Sequence, residues 1–260
     1  EEDLQRYSHF KQVVVREVTL TEPILKLKEL FFQIVGPSIA TLNRCGAYYE
    51  TDLEKVSYHS LFAAHSSFIG SRRTGSAVGM AMGAFGVAIK FFHCYSDMIT
   101  QDINVFIQSW ENIQQAFQQD KKKNKLLASL LQQPLYHTIL RMAKSFVNQR
   151  QEHPKMVELG KTIKEHFDNF SQTKVIIFAS QKLTVKWIVQ YLSQKFSPKV
   201  RAMEFVGQNK GKNSLGLTAK EQKEIIDKFT KGNYNVLVST SVGEEGLDIG
   251  EVDMIICYDA

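Results

Sequence analysis

The sequence predicts an α/β fold with a parallel sheet, preceded by an all-helical unit. Three observations carry this. Apolar residues recur at the helical period through residues 21–150. After His153 short apolar runs alternate with amphipathic ones, the pattern of strands joined by right-handed helical crossovers. Near the end, Asn235 to Val238 reads as a strand that runs through hydroxyl residues into a loop rich in glycine and acid, and Met254 to Cys257 follows as another strand. In an open parallel sheet, ligands bind beyond the carboxyl ends of strands, which is where Ser239, Thr240, Gly243, Gly246 and Asp248 would lie.

Residues 1–20 read as the edge of a preceding domain and its connector, with a strand-like run from Gln12 to Leu20. From Glu22 onward, stripes at Leu27, Leu30, Phe31 and Ile34, at Phe106, Ile107, Trp110 and Ile113, and at Leu135, Ile139, Met142 and Phe146 predict a unit of five or six helices ending near Arg150. Within it, GSAVGMAMGAFGVAIKFF (Gly75 to Phe92) is apolar over about 18 residues, the lower bound for a membrane span. Lys90 interrupts it and Gly and Ala dominate, so it reads as a buried bundle helix and not as an anchor. Gly75, Gly79, Gly83 and Gly86 would let neighbours approach closely. After HPK (His153 to Lys155) come a helix from Met156 to Phe170, a strand in KVIIFAS (Lys174 to Ser180), a helix from Leu183 to Phe196 and a strand from Val200 to Val206. A helix from Thr218 to Thr230 follows, opened by a Thr N-cap with Glu221 three residues on. Residues 207–217 form a flexible basic loop.

The 260 residues suffice for one large domain or two ordinary ones, and the composition, 43% apolar and 23% charged, is that of a globular protein. A net charge of +5 is compatible with a polyanionic partner. The surplus sits early: residues 1–150 carry 17 Lys/Arg against 13 Asp/Glu, and the remainder 15 against 14. Cys45, Cys94 and Cys257 are scattered, without spacing that suits zinc, so a structural metal and a disulfide framework are not expected. Cys257, on an apolar strand, reads as core. No secretory leader opens the chain, and Glu1 suggests that the natural N-terminus lies upstream.

GQNKGKN (207–213) imitates a phosphate-binding P-loop, but its spacing is one residue short and Asn213 replaces the magnesium-binding hydroxyl. A D-E-x-[HD] box is also missing. Any NTPase built on this chain would need another domain for half its machinery. Taken singly, KVIIFAS and EFVGQ are ordinary strands, and Lys121, Lys122, Lys123 and Lys125 an ordinary solvated helix end.

Order and spacing change that weighing. A strand ending FAS, a strand ending VGQ, a GLT-x-x-EQ helix and STSVGEEGLDIGEVD follow one another in that sequence. Here the chain resembles the second RecA-like domain of superfamily 2 helicases, in the branch of the Fanconi anaemia group M helicase, its fungal relatives and archaeal Hef. IIFAS matches motif IV and STSVGEEGLDIGEVD matches motif V. The resemblance implies a RecA-like helicase C-terminal domain over 151–260, truncated before motif VI and its arginine finger, and a thumb-like helical insert over 21–150. It further implies that Thr240 and the amide of Ser241 hold a nucleic-acid phosphate, that Phe178, Ala179 and Ser180 support backbone contact, and that Gly207 and Gln208 lie along the same strand. Gly246 and Asp248 would face ATP, bound with Mg2+ mainly by an absent first RecA-like domain. Glu244 and Glu245 are expected to order their loop. Arg72 and Arg73, with Lys121, Lys122 and Lys123, would brace the duplex or branch point.

The implied function is that of a 3′-to-5′ ATP-dependent DNA helicase or translocase of branched DNA in repair. It would be nuclear, often working with a histone-fold heterodimer that binds elsewhere, and it would have no membrane association. The piece alone would lack ATPase activity. A double-stranded RNA sensor or Dicer-type helicase also carries a helical insert, and the helical region could instead be a protein-docking module. The GEEGLDIGEVD wording and the VGQ plus GLT-x-x-EQ pairing favour the DNA branch over the RNA one.

Overall fold

A computed structural model describes residues 12–71, 75–120, 124–206, 217–240 and 249–259. Among these, six α-helices form the first unit: α1 (Glu22–Arg44), α2 (Tyr58–Gly70), α3 (Ser76–Ser96), α4 (Ile103–Gln119), α5 (Lys125–Leu131) and α6 (Pro134–Asn148). A π-helical turn, Asp97–Gln101, joins α3 to α4. The second unit holds α7 (Pro154–Asn169), α8 (Lys182–Phe196) and α9 (Ala219–Thr230) with β1 (Val175–Phe178), β2 (Ala202–Phe205), β3 (Val236–Ser239) and β4 (Met254–Cys257).

The apolar helix α3 is the axis of the first unit and packs on α1, α2, α4 and α5. Phe85, Phe91 and Phe92 on α3 are buried with Phe31, Phe106, Trp110 and Tyr136. Trp110 and Tyr136 stack at 4.9 Å. Each ring also satisfies its polar atom on the other's backbone: the indole N–H donates to the Tyr136 carbonyl at 3.3 Å, and the phenol donates to the Trp110 carbonyl at 2.7 Å. That reciprocity is how two large amphipathic rings enter a dry core without an unpaired donor.

The four strands are all parallel, in the order β2-β3-β1-β4. Their two-residue alternation sorts side chains to two faces. Val175, Ile177, Val236 and Val238 meet α7 and α8, whereas Ile176 and Leu237 meet Ile225, Ile226 and Phe229 of α9. A capping box starts α9: Thr218 accepts from the Glu221 amide, and Glu221 accepts from the Thr218 amide.

Gln12 to Leu20, read as having nothing before it to pair with, forms no strand among the described residues, and Val13 and Val15 are more than four-fifths exposed. It is held instead by Arg16, which bridges Glu158 at 2.8 Å and Glu165 at 3.2 Å on α7. Two other sequence expectations need correction. Cys257 is exposed, not core. It shares with Ile255 the exposed face of β4, an edge strand among the described residues, while Met254 and Ile256 turn toward the core. The glycines of α3 do not all serve close packing. A Cβ on Gly79 would meet open space, and one on Gly86 would come 3.2 Å from the Asn124 amide nitrogen.

Asn124 therefore has two duties. Its side-chain oxygen accepts from the Leu126 and Leu127 amides at the start of α5, and its nitrogen donates to the Gly83 carbonyl at 2.9 Å. Replacing Asn124 with Ala removes a helix cap and a tie between α5 and α3, and should cost about 1–2 kcal/mol in denaturant unfolding. A loss below a few tenths would show that water replaces both contacts.

Candidate nucleic-acid and nucleotide interface

β1 and β3 lie side by side, with Phe178 opposite Ser239. The ladder runs one step further, since the Ala179 amide donates to the Ser239 carbonyl at 2.9 Å and the Tyr258 amide to the Phe178 carbonyl at 2.8 Å. The register therefore brings Ala179–Ser180 and Thr240 together at the carboxyl edge of the sheet, where an α/β fold keeps its ligand crevice. Phe178 is half-buried, Ala179 is buried and Ser180 is exposed. Thr240 is only 6% exposed, and its carbonyl accepts from the Ser239 hydroxyl at 2.9 Å. Of the hydroxyls expected at this edge, Ser180 faces solvent while Ser239 and Thr240 are enclosed, as befits a strand covered on both faces.

Gly207 and Gln208, Ser241, Glu244, Glu245, Gly246 and Asp248, Arg72 and Arg73, and Lys121, Lys122 and Lys123 lie outside the described residues.

Two features of the edge favour an anion. Helix α8 starts directly beyond β1, and its N-cap Gln181 makes no capping side-chain bond, so the first amides and the positive end of the helix dipole are left for another acceptor. The Lys182 ammonium is enclosed without a hydrogen-bond partner. An uncompensated cation in such a place is costly and is relieved by negative charge. Neither feature carries a recognisable sequence signal.

The Ser180 amide donates to both oxygens of Asp259, at 2.8 and 3.1 Å. Asp259 in turn accepts from the Gln101 side chain at 2.7 Å, and so links the sheet edge to the helical unit. The link continues along the whole π turn. A helix end leaves its last carbonyls without partners, and here the sheet unit supplies them. His153 meets the Met98 carbonyl at 3.1 Å, Lys155 Nζ donates to the Thr100 carbonyl at 2.7 Å, and the Tyr258 phenol donates to the Gln101 carbonyl at 2.8 Å. Lys155 also sits 4.5 Å above the Tyr258 ring. Gln181 donates to the fully buried Asp97 at 2.6 Å, which accepts from Ser109 as well. Sequence reasoning missed Asp97, Gln101 and Asp259, because a polar residue at a helix end or just past a strand ordinarily signals solvent.

Burial lowers the pKa of His153 and of Lys155, and raises that of the Tyr258 phenol. His153 Nδ1 accepts from the Lys155 amide at 3.2 Å, so in the neutral ring Nε2 carries the proton and donates to Met98. A second proton would confront that amide donor.

Comparison with known proteins places this geometry in context. Residues 156–260 match the family described as Helicase conserved C-terminal domain. The chain is 30% identical to the ATP-dependent DNA helicase mph1 of Sclerotinia sclerotiorum, covering 99% of this chain and 22% of that protein. It is 30% identical to the Fanconi anemia group M protein of Gallus gallus, covering 99% and 14%. It is 29% identical to the ATP-dependent DNA helicase fml1 of Schizosaccharomyces pombe, covering 99% and 31%. The chain thus spans less than a third of the length of each of these relatives. The crystal structure of the Pyrococcus furiosus Hef helicase domain superposes with a TM-score of 0.78 at 23% identity, over 100% of this chain and 52% of that one. The fold is shared throughout.

A neutral, buried His153 has a pH consequence. Its folded pKa lies below the unfolded value near 6.5, so the unfolded chain binds the extra proton. The stability it supports is complete above that value and is lost as pH falls through the folded pKa. His166, also lowered by burial, acts in the same sense, and His93, raised by its hydrogen bond to Asp97, acts in the opposite one. Melting temperature should fall between pH 7 and pH 5, and His153→Asn, which keeps a cap for α7, should flatten that fall. An unchanged slope in the variant would place the titration elsewhere.

Proposed function

We infer, for a chain that belongs to the superfamily 2 helicases of the Fanconi anaemia group M, mph1 and Hef type, that it forms the helical insert and second RecA-like domain of an ATP-dependent DNA motor. The motor acts on branched DNA such as stalled forks, D-loops and four-way junctions. The observation that carries the reading is the sheet edge, where Ser180, an exposed residue, and the uncapped start of α8 lie beside Thr240.

Such an edge grips phosphate and ignores base identity, as a motor that travels on any sequence requires. In this reading Phe178, Ala179, Ser180, Gly207, Gln208, Thr240 and Ser241 follow one strand of DNA. Gly246 and Asp248 meet ATP, whose phosphates and Mg2+ are held mainly by a first RecA-like domain outside this chain. Closure of the two domains on ATP and opening after hydrolysis shift one grip against the other, which moves the enzyme 3′ to 5′. This chain by itself lacks the arginine finger and P-loop that supply most phosphoryl-transfer stabilisation, and so does not hydrolyse ATP. Arg72, Arg73, Lys121, Lys122 and Lys123 brace the branch point from the insert. The setting is nuclear DNA repair, with a histone-fold heterodimer bound elsewhere on the full-length protein.

In that protein, Ser180→Ala should weaken forked-DNA binding about tenfold, the worth of one hydrogen bond to a charged group. A blunt RNA duplex should bind less tightly than the fork, and the reverse order would point to a double-stranded RNA sensor. Reversing the charges of Lys121, Lys122 and Lys123 should lower fork affinity. It should also flatten its logarithmic salt dependence by roughly 0.9 for each phosphate that is no longer neutralised. Unchanged affinity and slope would make the insert a docking module.

A further inference from the structure

Ser180 is an exposed residue, yet its hydroxyl is tied to one that is not. Gln101, 3% exposed at the end of the π turn, directs its side-chain nitrogen at Ser180 Oγ (3.1 Å), at Asp259 Oδ2 (2.7 Å) and at Thr100 Oγ1 (3.2 Å). The fully buried Thr184 hydroxyl, in the first turn of α8, donates to the Gln101 side-chain oxygen at 2.5 Å. The two outer partners fix which way the amide points. Asp259 only accepts, so the nitrogen must face it, and the Thr184 donor then finds the oxygen. Asp259, the shortest contact, takes one of the two amide hydrogens, and the other is shared between Ser180 Oγ and Thr100 Oγ1, which makes Ser180 Oγ an acceptor toward Gln101. A hydroxyl has one proton to give, and with an amide donor on the protein side that proton is left for another acceptor. The Ser180 amide is already spent on Asp259.

We propose that Gln101 is a positioning residue, which acts through Ser180 by fixing its hydroxyl as a donor toward a DNA phosphate and so ties the grip of the RecA-like domain to the helical insert. The proposal rests on the DNA-motor reading above. The π turn fits the role. Such turns are one-residue insertions in helices, frequent at functional sites, and this one is anchored along its length by His153, Lys155, Gln181 and Tyr258. A displacement of the insert is thereby felt at Ser180 without passing through the sheet.

The test uses the full-length protein and a synthetic forked duplex, with ATP hydrolysis followed against DNA concentration. Gln101→Met keeps the unbranched shape and removes every hydrogen bond of the amide. The DNA concentration for half-maximal hydrolysis should rise about tenfold, while turnover at saturating DNA stays within about twofold. In a Ser180→Ala background the same replacement should add less than about twofold, because residues that act through one contact are not additive. A purely structural role would instead lower turnover and melting temperature together and add its full cost to Ser180→Ala. Should Gln101→Met fail to fold, Thr184→Val frees the same amide from the opposite side and should raise half-saturation severalfold. Unchanged half-saturation in the folded variant, or full additivity with Ser180→Ala, overturns the proposal. A wild-type protein whose hydrolysis ignores DNA overturns the motor reading, and this inference with it.

Discussion

The structure turns on a rule of backbone chemistry: carbonyls at a helix end must find donors, and burying them without donors is expensive. Within the π turn Asp97, Met98 and Gln101 are buried and Ile99 and Thr100 half-buried, so water has little access to these carbonyls. His153, Lys155 and Tyr258 supply the donors from the sheet side, and in doing so fix how the two units sit together. A polar seam of this kind is sensitive to geometry, since each bond holds over a few tenths of an ångström. The units are thus registered by hydrogen bonds, while packing supplies the bulk of each core.

Each core follows its own logic. The helical unit is held by aromatic rings on and around α3, large surfaces with few rotatable bonds. The sheet unit is held by β-branched and aliphatic side chains sorted to two faces, as a parallel sheet covered on both sides requires. Ser180, Ser239 and Thr240 gather at the carboxyl edge, Ser239 and Thr240 enclosed and Ser180 exposed.

The periodicities that define a fold class were plain in the chain. Helical stripes located the first unit, and the alternation after His153 located the parallel sheet to within a residue or two at most boundaries. What escaped was set by partners distant in sequence. Asp97, Gln101 and Asp259 look like solvated ends until 79 to 158 residues of chain bring their partners to them. Cys257 read as core because an apolar strand does not announce that it lies at an edge. Of the expected contact residues, Phe178, Ala179, Ser180 and Thr240 do share one edge, although Thr240 lies deeper than a surface hydroxyl would.

The outer flank of β4 has a practical corollary. Ile255 is 59% exposed, and Cys257 offers a free thiol beside it on a border strand. Bare borders of this sort recruit further strands from whatever polypeptide is near. Air oxidation of that exposed thiol would couple two copies through sulfur. Work with this chain in isolation calls for reductant, or for a serine in place of that thiol.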